Sequence, residues 1–164
     1  MLFRSRDRIE AWLRRGLIRR SFPYGETYTT SDYSGAVLWI PPDSTHDGPL
    51  DEIKLRLALI KIAGWKRVAE VRNAMRLIDA GHQTTPSMEL RVIGVDPESQ
   101  RHGIGRALIT PMIARCDGDG LAITLLCTKE RNVGFYRRLG FDVTSEVTIP
   151  DGPHLWHMRR EPGA

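Results

Sequence analysis

Val95-Asp96-Pro97-Glu98-Ser99-Gln100-Arg101-His102-Gly103-Ile104-Gly105-Arg106-Ala107-Leu108 carries the chain from an apolar run, through a polar bend, into a helical repeat. Leu90, Val92 and Ile93 precede it and read as a buried strand over 88–95, which Pro97 ends by withholding an N–H. Ile104, Leu108 and Met112 then recur every fourth residue, with Ala107 and Ala114 alongside, so a helix with one apolar face starts near Gly103. Gly103 and Gly105 remove side chains where the backbone must approach something closely. The free N–H groups of a helix start carry about half a positive charge, and such a turn is suited to phosphate.

Two familiar phosphate loops are excluded. A dinucleotide fingerprint needs a third glycine where this chain has Leu108, and a P-loop needs a Gly-Lys-Ser/Thr triplet that occurs nowhere. What remains is Gln100-Arg101-x-Gly103-x-Gly105, or a glycine-containing turn that binds nothing.

Working outward, the 164 residues suit a single domain over 1–164, with 27% charged and 41% hydrophobic residues. No apolar run approaches a membrane span of about 18 residues, and the first thirty residues lack a signal-peptide core. The expectation is a cytoplasmic protein. Cys116 and Cys127 match neither a metal-site nor a disulfide spacing and read as reduced, buried small hydrophobes. Lysine occurs only at 54, 61, 66 and 129, which leaves twenty arginines among the 24 cations of a chain with net charge +4. They are scattered without a long basic run, which argues against nucleic acid.

Before the central stretch, 3–20 reads as an amphipathic helix, more simply laid on a core than on a membrane. Tyr28–Thr30 and Ala36–Ile40 read as a hairpin around the turn residues Asp32–Gly35, and 50–80 as two helices broken at Gly64-Trp65. After it, Pro111 must remove one helix bond and should bend the helix. Asp117–Gly120 reads as a turn, Leu121–Thr128 as a central strand, and Asn132 as the N-cap of a short helix that Gly140 closes. Phe141–Ile149 and Leu155–Arg159, separated by Pro150-Asp-Gly-Pro153, suggest an antiparallel ladder.

Gln100-Arg101-x-Gly103-x-Gly105 resembles the acyl-CoA signature of the GNAT superfamily of N-acyltransferases, and Asn132-Val-Gly-Phe-Tyr136-Arg-Arg-Leu-Gly-Phe141 resembles a second segment of that family, in the right order. Residues 35–42 and 152–164 resemble the antibiotic-acetylating members of the puromycin N-acetyltransferase type. The resemblance implies an α/β fold: a mixed, largely antiparallel sheet with helices on both faces. The first strand of that fold is apparently missing, which leaves a homodimer open. It implies acetyl-CoA as cosubstrate and acetyl transfer to a primary amine of a small molecule. Within the same resemblance, Gln100, Arg101, His102, Gly103, Ile104, Gly105 and Arg106 form the cofactor loop. A backbone N–H near Val95 is the oxyanion donor, Asn132 hydrogen-bonds the pantetheine arm or the cofactor end nearest the thioester, and Tyr136 is the general acid.

The bland readings of these residues are a helix cap for Asn132 and core packing for Tyr136. Glu89, on the strand entering the loop, is the candidate general base; otherwise it is an outward-facing strand residue. No histidine pair has metal-ligand spacing with a third ligand, so no metal is expected. Tyr24, Tyr28, Tyr33, Trp39 and Trp65 are candidates for an acceptor wall, or core residues. Acylation of a protein N-terminus or lysine, and a non-catalytic acyl-CoA-binding module, are the competing functions.

Overall fold

A computed structural model describes residues 26–42, 76, 85–149 and 152–164. Six strands form one sheet in the order β1-β2-β3-β4-β6-β5, where β1 is Glu26–Thr29, β2 Gly35–Ile40, β3 Ser87–Val95, β4 Ala122–Cys127, β5 Asp142–Thr148 and β6 His154–Arg160. Every pairing is antiparallel except β3 with β4. Parallel neighbours need a long crossover. Here it holds a short 3₁₀ turn, Pro97–Ser99, and the helix α1, Ile104–Asp119. A second helix, α2, spans Glu130–Arg137 after β4.

Strand alternation sorts the side chains. Val37 and Trp39 of β2, Met88 and Leu90 of β3, Ile123, Leu125 and Cys127 of β4 and Met158 of β6 share one face. They join Leu108, Ile109, Met112 and Cys116 of α1, Val133 and Tyr136 of α2, and Phe141 in a single core. Both described helices therefore cover the same face. The segments expected to be helical at 3–20 and 50–80 lie outside the described residues, apart from Arg76, which is helical. The question of a first strand also lies outside them.

Several local expectations change. Asp117–Asp119 is the last turn of α1, and the turn itself is Gly120, left-handed at φ 65°, with the Leu121 N–H bonded to Cys116 O at 2.8 Å. α2 starts one turn segment earlier than expected, because extended Lys129 is the N-cap. Asn132 therefore sits inside the first turn, its own N–H bonded to Lys129 O at 2.9 Å. Pro111 lies within a helix that runs from 104 to 119 without a break. The hairpin at 26–40 and the ladder at 142–160 form as expected.

One buried cation ties the far end together. Arg160, 4% exposed, holds both carboxylate oxygens of Asp117 at the end of α1 and donates to Leu139 O at 3.0 Å and Ala164 O at 2.7 Å. The Gly163 N–H adds a bond to Asp117, and the Arg160 guanidinium holds the Asp117 carboxyl below the usual carboxylate range. Removing one partner of such a network leaves the other groups buried and unpaired. Arg160→Met, which keeps the stem and deletes the donors, is expected to lower Tm by at least about 5 °C. Asp117→Asn, at the more exposed end, should cost less. Thermal denaturation of the two variants side by side checks the order.

Candidate active site

The parallel pair is short. β3 and β4 are in register only from Ser87–Ala122 to Leu90–Leu125, while β3 continues to Val95 and β4 to Cys127. Pairing stops at a β-bulge: Leu38 faces Val92 and Trp39 faces Leu90, so Arg91 is an extra residue. Beyond it the two strands part.

The direction of the freed amides follows from the ladder. Asp96 donates its N–H to Ser34 O at 2.7 Å, which makes that a hydrogen-bonded pair of the β2–β3 ladder. Alternation then turns the amides of Val95 and Ile93 away from β2, toward the gap that β4 has left. The Val95 carbonyl points the same way and accepts Gln100 Nε2 at 3.0 Å. That bond uses the Gln100 side chain to brace the loop against the strand end.

The loop is shaped by local bonds and by two left-handed residues. The Asp96 side chain accepts the Glu98 N–H at 3.1 Å and shapes the 3₁₀ turn. Arg101 then adopts φ 66° and Gly103 φ 82°. A left-handed residue beside a right-handed one is the backbone pattern of an anion nest. For Arg101, a non-glycine residue, that conformation costs on the order of 1 kcal/mol. The first N–H of α1 bonded within the helix is that of Ala107, to Gly103 O at 2.9 Å, so those of Ile104, Gly105 and Arg106 point out of the helix start without an intrahelical partner. His102, Gly103 and Arg106 are exposed, while Ile104 and Gly105 are half-buried.

Three elements meet at Gly105. A Cβ there would lie 3.5 Å from the Phe135 ring of α2 and 4.0 Å from Val95 Cγ2 at the end of β3. Gly35 matters as much, since a Cβ on it would meet Ile104 Cγ2 at 2.8 Å and Leu108 Cδ1 at 3.0 Å. Reading Gly35 only as turn chemistry misses this close approach of β2 to the first turn of α1. An isolated glycine at a strand start is the signal that points to it.

Tyr136, 7% exposed, packs edge-on against Phe135 at 5.1 Å and Phe141 at 5.9 Å between ring centroids. Burial pushes its phenol up to about 12, with the neighbouring Cys127 adding to the rise. It is thus a core residue that stays protonated throughout the neutral range. Cys127 is buried and donates to Lys129 O at 3.2 Å, and burial raises its thiol, as it does that of Cys116. Neither is a ready nucleophile.

Glu89 lies on the sheet face opposite α1 and α2, one residue before β3 and β4 part, and its carboxylate is paired with Arg91 Nη2 at 2.7 Å. Asn132 is half-buried in the first turn of α2. Of the aromatic candidates, Trp39 is fully buried in the core, Tyr28 bonds Glu26 at 2.6 Å on the edge strand, and Tyr33 is 83% exposed at the hairpin turn; Tyr24 and Trp65 lie outside the described residues. No cluster of His, Cys, Asp and Glu suited to a metal occurs among the described residues. No helix among them is long and apolar enough to cross a membrane.

A parallel strand pair that parts beside a left-handed loop at a helix start has the form of an acyltransferase fold. The comparisons agree: residues 68–162 match the acetyltransferase (GNAT) domain family, and the chain belongs to it. It is 38% identical over 66 residues to a mycothiol acetyltransferase of Streptosporangium roseum, a match covering 38% of this chain and 20% of that protein. An Arthrobacter mycothiol acetyltransferase is 40% identical over 68 residues, 39% of this chain and 21% of that one. The chain thus spans about a fifth of the curated relatives it matches. Among solved structures, a histone acetyltransferase HPA2 and related acetyltransferase from Corynebacterium glutamicum is similar in fold, with TM-score 0.62 and 21% identity over 95% of this chain and 75% of that one. The arylalkylamine N-acetyltransferase 2 of Aedes aegypti is another, at TM-score 0.55 and 15% identity over 82% and 71%.

The raised Tyr136 phenol has a consequence for stability. Its folded pKa lies above the unfolded value of about 10, so the contribution is complete below pH 10 and is lost as pH rises toward 12. The loss amounts to roughly 3 kcal/mol for two pH units. Tyr136→Phe is expected to flatten the fall in denaturation midpoint between pH 10 and 12 relative to the unmodified chain, as measured by urea titration at each pH.

Proposed function

We propose that this chain transfers the acetyl group of acetyl-CoA to a primary amine of a small molecule, by direct attack of the amine on the thioester. The observation that carries the reading is the parting of β3 and β4 beside the left-handed Arg101–Gly103 loop. The loop offers out-turned backbone N–H groups to a pyrophosphate, and the gap offers a slot with free amides on one wall. These features fit the group chemically: an anion at the helix start, and an extended polar arm along an unpaired strand edge.

Acetyl-CoA, when bound, supplies an activated acyl carbon. The chain does the rest. The backbone N–H groups from Arg101 to Arg106 hold the phosphates, and Asn132 on α2 faces the arm. The Val95 N–H polarises the acyl carbonyl as negative charge develops on its oxygen. Glu89 accepts a proton from the incoming ammonium, directly or through water, and Arg91 keeps its carboxylate in place. Tyr136 hydrogen-bonds the departing sulfur and delivers a proton to it, while Phe135, Phe141 and Val133 exclude water from that side. A phenol near 12 is a weak acid, so its contribution is a short hydrogen bond that completes transfer as the thiolate leaves. Small-molecule selectivity draws support from the resemblance of residues 35–42 and 152–164 to antibiotic acetyltransferases.

Two variants measured together test this. Gly103→Glu puts a carboxylate into the phosphate nest and is expected to raise the Kd for coenzyme A at least about 100-fold by calorimetry. Gly118→Glu, an open position near the far end of α1, serves as control. Tyr136→Phe should bind coenzyme A normally yet lose roughly 10²–10⁴-fold in thiol release on an accepted amine. Unchanged coenzyme A affinity in Gly103→Glu removes the cofactor assignment. Undiminished turnover in Tyr136→Phe removes the acid. Acetylation confined to peptide N-termini, with every small amine inert, moves the acceptor to proteins.

A further inference from the structure

We infer that the acceptor amine carries an anionic group, a carboxylate in the simplest case, and that Arg91 and Arg159 select for it. This rests on the amine-acetylation reading and names the chemistry of its acceptor.

α1 and α2 close one face of the sheet at the parting, where Phe135, Val95 and Gly105 meet. An amine reaching a thioester held between β3 and β4 therefore comes from the opposite face. Register places a polar row there, running across three strands: Glu89 of β3 faces Thr124 of β4, which faces Arg159 of β6. Buried His157 follows two positions along β6 and faces Ser145 of β5. The bulge at Arg91 adds its guanidinium to the same face, where it reaches back to Glu89.

Hydrogen-bond accounting then gives the sign of the missing partner. Arg159, with 11% of its side chain exposed, spends Nε and Nη2 on the outward-lying Glu161, and its Nη1 is buried without a partner. Arg91 spends Nη2 on Glu89, and its Nε is likewise buried and unpartnered. The Ser145 hydroxyl on the same face has none either. Guanidinium groups have only donors, and a buried donor left unsatisfied is costly. Among the described residues the row thus has a surplus of donors and of positive charge, with Glu89 as its inward carboxylate. A carboxylate accepts two N–H bonds in the fork geometry that arginine presents, whereas an ammonium, with donors only, satisfies none of them. Neighbouring strands are about 4.8 Å apart, so Glu89 and Arg159 stand about 10 Å apart at the backbone. That span suits an ammonium at Glu89 and a carboxylate nearer Arg159 within one small molecule.

The test uses pairs of amines that differ only in the carboxylate: tyrosine and tyramine, tryptophan and tryptamine, 4-aminobutyrate and butylamine, and alanyl-alanine with its C-terminal amide. The expected kcat/KM ratio within accepted pairs is about 10 to 100 in favour of the carboxylate. In Arg159→Gln and in Arg91→Gln that ratio is expected to fall toward one, mainly through KM for the carboxylated member. Arg159→Lys should retain part of it. A folding defect lowers both members of a pair and leaves the ratio standing. A ratio of one or less in the unmodified chain, or a ratio that neither glutamine variant changes, overturns the inference while the acetylation reading survives. Failure of every member to accept acetyl overturns that reading and this inference with it.

Discussion

The structure depends on one interruption of its hydrogen bonding: β3 and β4 pair for four residues and then part. A continuous parallel ladder would satisfy every amide and leave no opening. The bulge at Arg91 falls at the point where pairing ends, and it rotates the remaining strand relative to β2 without breaking the β2–β3 ladder. The cost of exposed backbone groups is limited by local repairs. Val95 O takes the Gln100 side chain, and Asp96 N–H returns to Ser34 O. The amides of Ile93 and Val95 are the groups this arrangement leaves turned toward the gap.

Around that interruption the sheet has two chemically different faces. The face under α1 and α2 is an apolar core in which Tyr136 is held by aromatic edges and kept protonated by burial. The other face carries Glu89, Arg91, Thr124, Ser145, His157 and Arg159 in adjacent register, beside buried Leu38, Ile40 and Leu155. An acid buried on one side and a carboxylate among donors on the other suit a reaction in which a proton is lost by the nucleophile and another gained by the leaving group. Arg160 and the turn at Gly140, where a Cβ would meet Arg160 Nε at 3.1 Å and Ala164 O at 3.2 Å, fix the end of the core remote from the strand gap.

The form of the 96–103 loop was legible because its information is local. Pro97 ends a strand, Gly103 needs φ 82°, and the four-residue repeat from Ile104 marks a helix. The hairpin at 26–40 and the ladder at 142–160 were legible from apolar runs flanking turn residues in the same way. Features set by tertiary contacts were not. Asn132 looks like a cap, yet Lys129 takes that position because extended Lys129 leads straight out of β4. Asp117 looks like a turn residue, yet Arg160, 43 positions on, holds it against the helix end. Trp39 as an acceptor wall and Trp39 as core give the same pattern in a sequence, and packing under α1 decided for the core. The bulge at Arg91 leaves no mark in an apolar run that reads equally well in either register.

The most direct test of the central claim is amide hydrogen exchange, resolved by residue, with and without saturating coenzyme A. The account predicts slowed exchange at Arg101 to Arg106 and at Ile93 and Val95, the amides of the nest and of the gap, with the outer strands β1 and β5 unchanged. Coenzyme A that protects other segments and leaves those amides exchanging as in the free chain would contradict it.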